Sequence, residues 1–332
     1  MRIVKSVLLA STVLSTGVYA AQADINVVAS IKPVHSLVAA VMEGVGTPGL
    51  IVDGAASPHT YSLKPSQARE LENADVVFWV GHDIEAFLEK PLEAIATKAN
   101  TVELMDAHDL VKLKFREGGA FDEHDYEDEE DHAHDDHHDD EKHAEEKHDD
   151  HSHEGHDHGE YDPHVWLDPA NAKALVHEIE EALVEADPAN AAKYEANAES
   201  LMEKLDSLKE EIATDLAPVK EKGFVVFHDA YHYFEDRFGL GAVGSITVSP
   251  EVMPGAERIS ELQSKIKELN AVCVFSEPQF KPKLVATVSE GTQAKAGVLD
   301  PLGTSIENGP ELYFTLLRNM SSSFKACLSV AS

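Results

Sequence analysis

Three histidines lie in loops that carry strong turn signals, at the ends of expected helices and strands. His59 occurs in the loop GAASPHTYSLKPSQ, His164 in YDPHVWLDP just before a helix start, and His228 after the apolar strand FVVF. Side chains at such ends project away from packed faces, and histidine is the commonest side-chain ligand of metal ions. The three positions therefore suit a site in a cleft.

A second group of histidines, eleven of the 19 in the chain, lies in one acidic tract. They are His124, His132, His134, His137, His138, His143, His148, His151, His153, His156 and His158. Residues 122–162 contain 21 Asp or Glu against two Lys and almost no apolar residues, a composition that favours disorder. We expect a disordered insertion over 116–160 that captures metal ions with low affinity or senses their supply. A solvated acidic loop with incidental affinity is the alternative.

Within this tract, residues 132–137 read HAHDDH and match the H-x-H-x-D-H pattern of metallo-β-lactamase-type hydrolases. That motif needs a rigid strand end, whereas a run of His, Asp and Glu produces such patterns by chance. The chain also lacks an H-E-x-x-H helix, and nothing marks the positioned general base that a metal hydrolase needs. We therefore expect no enzyme activity; a secreted zinc hydrolase is the alternative from another class.

The elements that must position these loops alternate between strands and helices. Before the tract, INVVAS, VVFWVG and TVELMD read as strands, with helical patterns near 34–43, 65–73 and 84–97. After it, GFVVFHD, GAVGSITV, AVCVFSE and AGVLD read as strands, with helical patterns near 229–237, 256–269, 281–291 and 310–323. This alternation predicts an α/β fold with parallel sheets covered by helices. Ligands of such folds bind at strand ends or between lobes.

One predicted helix is unusually long. The phrase D-P-A-N occurs at 168–171 and again at 187–190, and each copy starts a helix because Asp favours the N-cap and Pro the first helical position. The apolar seam of the second helix runs to a stop near Pro218 and consists of Ala191, Tyr194, Ala198, Leu201, Leu205, Leu208, Ile212 and Leu216. About 30 residues span about 45 Å, the length of a domain. A single seam favours a strut between two α/β lobes over a coiled coil.

The segments SPHTYSLKPSQ, DPHVWLDP and VVFHDAYHYF resemble the ligand motifs of the metal-binding periplasmic components of ABC-type transporters. The most similar group is the zinc-uptake subgroup of the cluster A-I solute-binding proteins, and the resemblance covers essentially the mature chain. It implies two α/β lobes joined by a single long helix, with Zn²⁺ held between them by His59, His164 and His228. Neutral imidazoles fit Zn²⁺ in a tetrahedral set.

The resemblance leaves the fourth ligand open. Asp300, in VLDPLG, falls where the family often supplies an acidic ligand, and water is the alternative. Some zinc-binding members have Glu immediately before the first histidine, but here that residue is Pro58, which cannot ligate. Manganese-binding relatives resemble this chain with a carboxylate at the position of His228, so the imidazole favours zinc. A manganese or iron carrier and a zinc-dependent adhesin are the alternatives with this fold.

The N-terminal residues MRIVKSVLLASTVLSTGVYAAQA have early positive charges, a short apolar run and small residues at Ala21 and Ala23, as secretory signals do. We predict a signal peptide over 1–23, an N-terminal lobe over 24–186, a linking helix over 187–218 and a C-terminal lobe over 219–332. The mature protein is expected in the periplasm as a monomer that is not embedded in the membrane. Its implied partner is the membrane permease of an ABC zinc transporter.

The net charge of −34 is concentrated in the tract, where 122–162 carries −19. The remainder still repels nucleic acid, so cations are the expected ligands. The two cysteines, Cys273 and Cys327, belong to a chain predicted to enter an oxidising compartment. A disulfide between them would close a loop of about 55 residues and stabilise the fold by about 4 kcal/mol. Two unrelated buried thiols are the alternative.

Overall fold

A computed structural model describes residues 25–116, 159–247, 250, 253–281 and 283–329. The predicted signal peptide over 1–23 and all eleven histidines of the acidic tract lie outside these ranges. Within the described ranges the chain builds two four-stranded parallel sheets that are covered by helices. The predicted α/β class with two lobes is therefore confirmed.

The N-terminal lobe contains a parallel sheet with strand order β2-β1-β3-β4. Its elements are β1 Val27–Ile31, α1 Lys32–Val41, β2 Gly49–Val52, α2 Pro65–Asn73, β3 Val76–Trp79, α3 His82–Ala94 and β4 Asn100–Glu103. Strands β1 and β3 are buried along their whole length, as expected for parallel strands with helices on both faces. Their apolar runs therefore form the centre of the lobe.

Two helices follow the acidic tract. They are α4 Pro169–Ala186 and α5 Ala191–Leu216. Asp168 caps α4 by accepting a hydrogen bond from the amide of Ala170 at 2.8 Å, as the D-P-A-N phrase predicts. The predicted long helix is confirmed as α5: every seam residue except Ala191 is buried, and the helix packs against α1, α4 and α9.

The C-terminal lobe repeats the N-terminal arrangement, with strand order β6-β5-β7-β8. Its elements are β5 Phe224–His228, α6 His232–Phe238, β6 Ala242–Thr247, α7 Ala256–Glu268, β7 Cys273–Ser276, α8 Lys283–Ser289, β8 Lys295–Val298 and α9 Leu312–Leu328. Cys273 of β7 and Cys327 of α9 form a disulfide, so the disulfide interpretation is confirmed. None of the described helices is both long and apolar enough to cross a membrane.

The differences from the sequence prediction are local. Strand β2 (Gly49–Val52) was not predicted, because four residues between two loops give too short a pattern. The predicted strand TVELMD ends at Glu103 and continues as a 3₁₀ turn over Leu104–Asp106. Helix α6 begins at His232 rather than at 229, since the chain first turns tightly with the amide of Ala230 donating to the carbonyl of His228 at 2.9 Å.

Contacts besides α5 tie the two lobes together. The Lys32 ammonium group at the start of α1 donates to the carbonyls of Thr304 and Ile306 at 3.2 and 2.7 Å. Ser36, one turn later, donates to the carbonyl of Gly309 at 2.8 Å and accepts from the amide of Tyr313 at 3.0 Å. The segment over 304–313 of the C-terminal lobe is thus hydrogen-bonded to α1, the first helix of the N-terminal lobe.

Candidate metal centre

The structure brings together the three histidines that the sequence analysis selected. His59 lies in a 3₁₀ turn over Pro58–Thr60, between β2 and α2. His164 immediately precedes another 3₁₀ turn, over Val165–Leu167, that leads into α4, and His228 is the last residue of β5. One nitrogen from each ring lies within 4.8 Å of the others. The described ranges contain no other group of three or more His, Cys, Asp or Glu arranged to hold a metal ion.

His164 is oriented by the acidic residue two positions before it. Asp162 Oδ1 lies 2.6 Å from His164 Nδ1 and also accepts a hydrogen bond from the His164 amide at 3.0 Å. A ring that donates through Nδ1 leaves the Nε2 lone pair available for a metal. Burial lowers the pKa of His164 well below its ordinary value, and the neighbouring His228 adds to this effect. His164 is therefore held in the neutral form that binds metals.

His228 is oriented in the same way from the C-terminal lobe. Glu277 Oε1 lies 2.7 Å from His228 Nδ1, so Nε2 again faces the cluster. The Nε2 atoms of His228 and His164 lie 3.4 Å apart. Burial by itself would lower the pKa of His228, but the charge and hydrogen bond of Glu277, together with the charges of Asp229 and Asp162, outweigh it and raise the pKa. Both buried rings therefore have a carboxylate behind them and a nitrogen directed at a common point.

The topology explains why Glu277 reaches His228. Strands β5 and β7 are parallel neighbours, so their carboxyl ends meet at one edge of the sheet, where ligands of open α/β sheets bind. His228 ends β5 and Glu277 immediately follows β7. Sequence analysis missed Asp162 and Glu277, although the available signals were an acid two residues before His164 and an acid at the end of AVCVFSE.

Asp229, which the sequence suggested as an orienting acceptor, has a different partner. It forms an ion pair with Arg116, whose guanidinium also donates to Glu235 at 2.8 Å. Arg116 lies in the N-terminal lobe, while Asp229 and Glu235 belong to β5–α6. The loop that carries His228 is therefore bonded across the lobe boundary by this cluster.

Asp300 does not belong to the three-histidine group. Its Oδ1 accepts hydrogen bonds from Gln279 Nε2 at 3.0 Å, the Leu302 amide at 3.2 Å and Thr304 Oγ1 at 3.0 Å. Its Oδ2 accepts from the Thr304 amide at 2.6 Å. Both carboxylate oxygens are thus engaged in holding a loop of the C-terminal lobe.

The histidines expected to be structural or on the surface have other surroundings. His35 is buried with Nε2 3.1 Å from the carbonyl of Pro48, and His177 lies half exposed beside Glu180 on α4. His82 pairs with Asp83 at 3.1 Å. His232, considered as an accessory ligand, opens α6 and is not part of the group.

The sequence of this chain is similar to that of known zinc-uptake proteins. Residues 27–327 match the family model described as ZnuA, zinc-uptake complex component A, periplasmic. The chain is 58% identical over 306 residues to the high-affinity zinc uptake system protein ZnuA of Brucella suis biovar 1 (strain 1330), covering 92% of each chain.

Two solved structures share the fold. A crystal structure of ZnuA superposes with a TM-score of 0.72 at 23% identity, covering 92% of this chain and 100% of the other. The laminin-binding protein Lmb of Streptococcus agalactiae, described as bifunctional with adhesin and metal-transporting activity, superposes with a TM-score of 0.71 at 24% identity. It too covers 92% of this chain and is itself covered completely.

Proposed function

This chain belongs to the ZnuA family of periplasmic zinc-uptake components, and on that premise we propose that it binds Zn²⁺ and delivers it to a membrane permease of an ABC transporter. The observation that carries the proposal is the convergence of three imidazole nitrogens within 4.8 Å of one another. Zn²⁺ is cargo in this proposal, not a catalytic cofactor. The protein acts in the periplasm after removal of residues 1–23, as a monomer and without catalysis of its own.

The ligand set supports zinc over manganese or iron. His59, His164 and His228 supply three nitrogen donors, and Zn–N distances of about 2.0–2.1 Å fit a tetrahedral ion. Manganese prefers carboxylate and water oxygens, whereas the carboxylates of Asp162 and Glu277 bind imidazoles at 2.6 and 2.7 Å. The acids of this site therefore orient ligands instead of acting as ligands.

The fourth position is taken by water in our proposal. Of the two candidates from the sequence, Asp300 and water, the carboxylate is the weaker because its oxygens accept four hydrogen bonds within the C-terminal lobe. Release of Asp300 to the metal would cost those bonds. A water in the fourth place leaves the loop intact.

The proposal is tested by titrating the metal-free protein with Zn²⁺ against a chromophoric chelator. We expect one tight site per chain, which replacement of His59, His164 and His228 by alanine abolishes. His177→Ala, on the exposed face of α4, is the matched control and should bind as the unchanged protein does. Tight one-to-one binding by the triple variant would overturn the proposal. Competition between Zn²⁺ and Mn²⁺, measured by mass spectrometry of the intact protein, tests which metal the site prefers. Retention of the protein on the cell surface would favour an adhesin.

The histidine-rich tract is proposed to capture zinc for the main site. The chain enters and leaves the tract beside that site, because the Asp162 amide donates to the carbonyl of Leu113 at 2.8 Å and Lys114 pairs with Tyr161 in an antiparallel bridge. Ions held by the tract would be released close to His164. Deletion of 122–158 should lower the zinc stoichiometry while keeping one tight site. Unchanged stoichiometry and unchanged delivery to a competing chelator would contradict capture.

A further inference from the structure

Gln279 is a polar residue that lines the metal cleft and is not one of the three predicted histidine ligands. It lines the same cavity as His59, His164 and His228, two residues after Glu277. Its Oε1 atom is buried and accepts no hydrogen bond from the described part of the chain. A buried acceptor without a donor is destabilising, so its retention beside a ligand site calls for a donor from the ligand.

The orientation of this amide is determined by its partners. Its Nε2 lies 3.0 Å from Asp300 Oδ1 and 3.0 Å from Thr304 Oγ1. A carboxylate only accepts, so the amide nitrogen must face Asp300 and the oxygen must face away from it. Asp300 is itself held by the amides of Leu302 and Thr304. Asp300 and Thr304 thus present Gln279 Oε1 as a fixed acceptor.

We propose that Gln279 Oε1 accepts a hydrogen bond from the water that completes the coordination of Zn²⁺, and that Asp300 acts on the metal only by holding Gln279. The inference rests on the proposed function, since it assumes an ion on the three histidines. Water bound to Zn²⁺ is polarised and is a strong donor, whereas the Gln279 oxygen is a neutral acceptor. Gln279 is thereby a positioning residue for the fourth ligand, at the place where the resemblance suggested a direct carboxylate.

A double-mutant cycle on Gln279→Leu and Asp300→Asn tests this inference by chelator competition with Zn²⁺. Leucine has a similar size and no acceptor, so Gln279→Leu should weaken zinc binding about tenfold, the lower end for residues that orient metal ligands. Asp300→Asn should weaken zinc binding less than Gln279→Leu does. When it is added to Gln279→Leu, it should weaken zinc binding by less than about a further twofold, because both residues act through one water. Gln263→Leu, which removes a comparable amide bond to the carbonyl of Thr287, is the matched control.

The ligand-field spectrum of Co²⁺ in the site separates a positioning role from a structural one. Gln279→Leu should change the spectrum, while Gln263→Leu should leave it unchanged. Unchanged zinc affinity and an unchanged Co²⁺ spectrum in Gln279→Leu would overturn the inference. A large loss of zinc affinity in Asp300→Asn that persists in the double variant would also overturn it, since Asp300 would then bind the metal itself. Failure of the unchanged protein to bind zinc would instead overturn the proposed function.

Discussion

His228 Nδ1 and Glu277 Oε1 lie 2.7 Å apart at the carboxyl ends of two neighbouring parallel strands. His164 Nδ1 and Asp162 Oδ1 form an equivalent pair at 2.6 Å. The first pair belongs to the C-terminal lobe and the second belongs to the loop before α4. Each side of the lobe boundary therefore supplies the cluster with one imidazole that a carboxylate orients.

These carboxylates are expected to be necessary for tight zinc binding. Glu277→Gln and Asp162→Asn should each weaken Zn²⁺ binding about 10- to 100-fold, because the amide leaves the imidazole without its anionic acceptor. Chelator competition measures the loss. Glu290→Gln, at an exposed position one residue beyond α8, is the control. Affinities equal to that control would mean that the two carboxylates serve the fold and not the site.

Much of this site could be predicted from local sequence. Each of the three histidines lies where a strand or loop signal ends, and the D-P-A-N phrases place α4 and α5. The supporting acids could not be assigned in the same way, because His228 and Glu277 are 49 positions apart in the chain and their contact depends on the pairing of β5 with β7, which local sequence does not specify. The role of Asp300 stays a prediction: its position in the chain suggests a ligand, while in the structure its oxygens accept hydrogen bonds from Gln279, Leu302 and Thr304.

Arg116 is expected to contribute strongly to stability. Its guanidinium neutralises the buried carboxylates of Asp229 and Glu235 across the lobe boundary. Arg116→Met leaves these two buried charges without a neutralising cation, so the free energy of unfolding should fall by about 3 kcal/mol or more. Urea unfolding of the metal-free protein measures this change.

A surface arginine provides the comparison for this prediction. Arg318 pairs with Glu211 at 2.8 Å, and both side chains are about half exposed. Arg318→Met should cost less than about 1 kcal/mol. Equal effects of the two substitutions would show that the Arg116 cluster is as weak as an exposed ion pair.

The disulfide should stabilise the C-terminal lobe. Cys273 and Cys327 are 54 positions apart and join β7 to α9. Replacement of both by alanine should lower the free energy of unfolding by about 2–4 kcal/mol, because the unfolded chain regains the freedom that the cross-link removes. Urea unfolding of the unchanged protein should show a similar loss in a reductant, and the double variant should not respond to the reductant. An identical midpoint with and without reductant would contradict the prediction.

Glu85 is expected to make the N-terminal lobe more stable at acidic than at alkaline pH. The carboxyl group is fully buried, and this burial raises its pKa from 4.5 to about 7 in spite of hydrogen bonds from Ser30 and from the amides of Val80 and Gly81. Between these two values the folded chain keeps a proton that the unfolded chain has lost. Stability therefore falls as the pH rises from 4.5 to 7, by about 3 kcal/mol for a shift of this size.

Glu85→Gln removes that titration and keeps the hydrogen bonds, since the amide oxygen can accept from the two backbone amides while its nitrogen donates to Ser30 Oγ. Urea unfolding at a series of pH values should show the variant to be more stable than the unchanged protein at pH 8 and nearly equal to it at pH 4.5. Glu103, whose pKa is also raised by burial, lies close to Glu85 and titrates in both proteins, so the difference between their curves isolates Glu85. Parallel curves over this range would mean that Glu85 ionises in the folded protein as readily as in the unfolded chain.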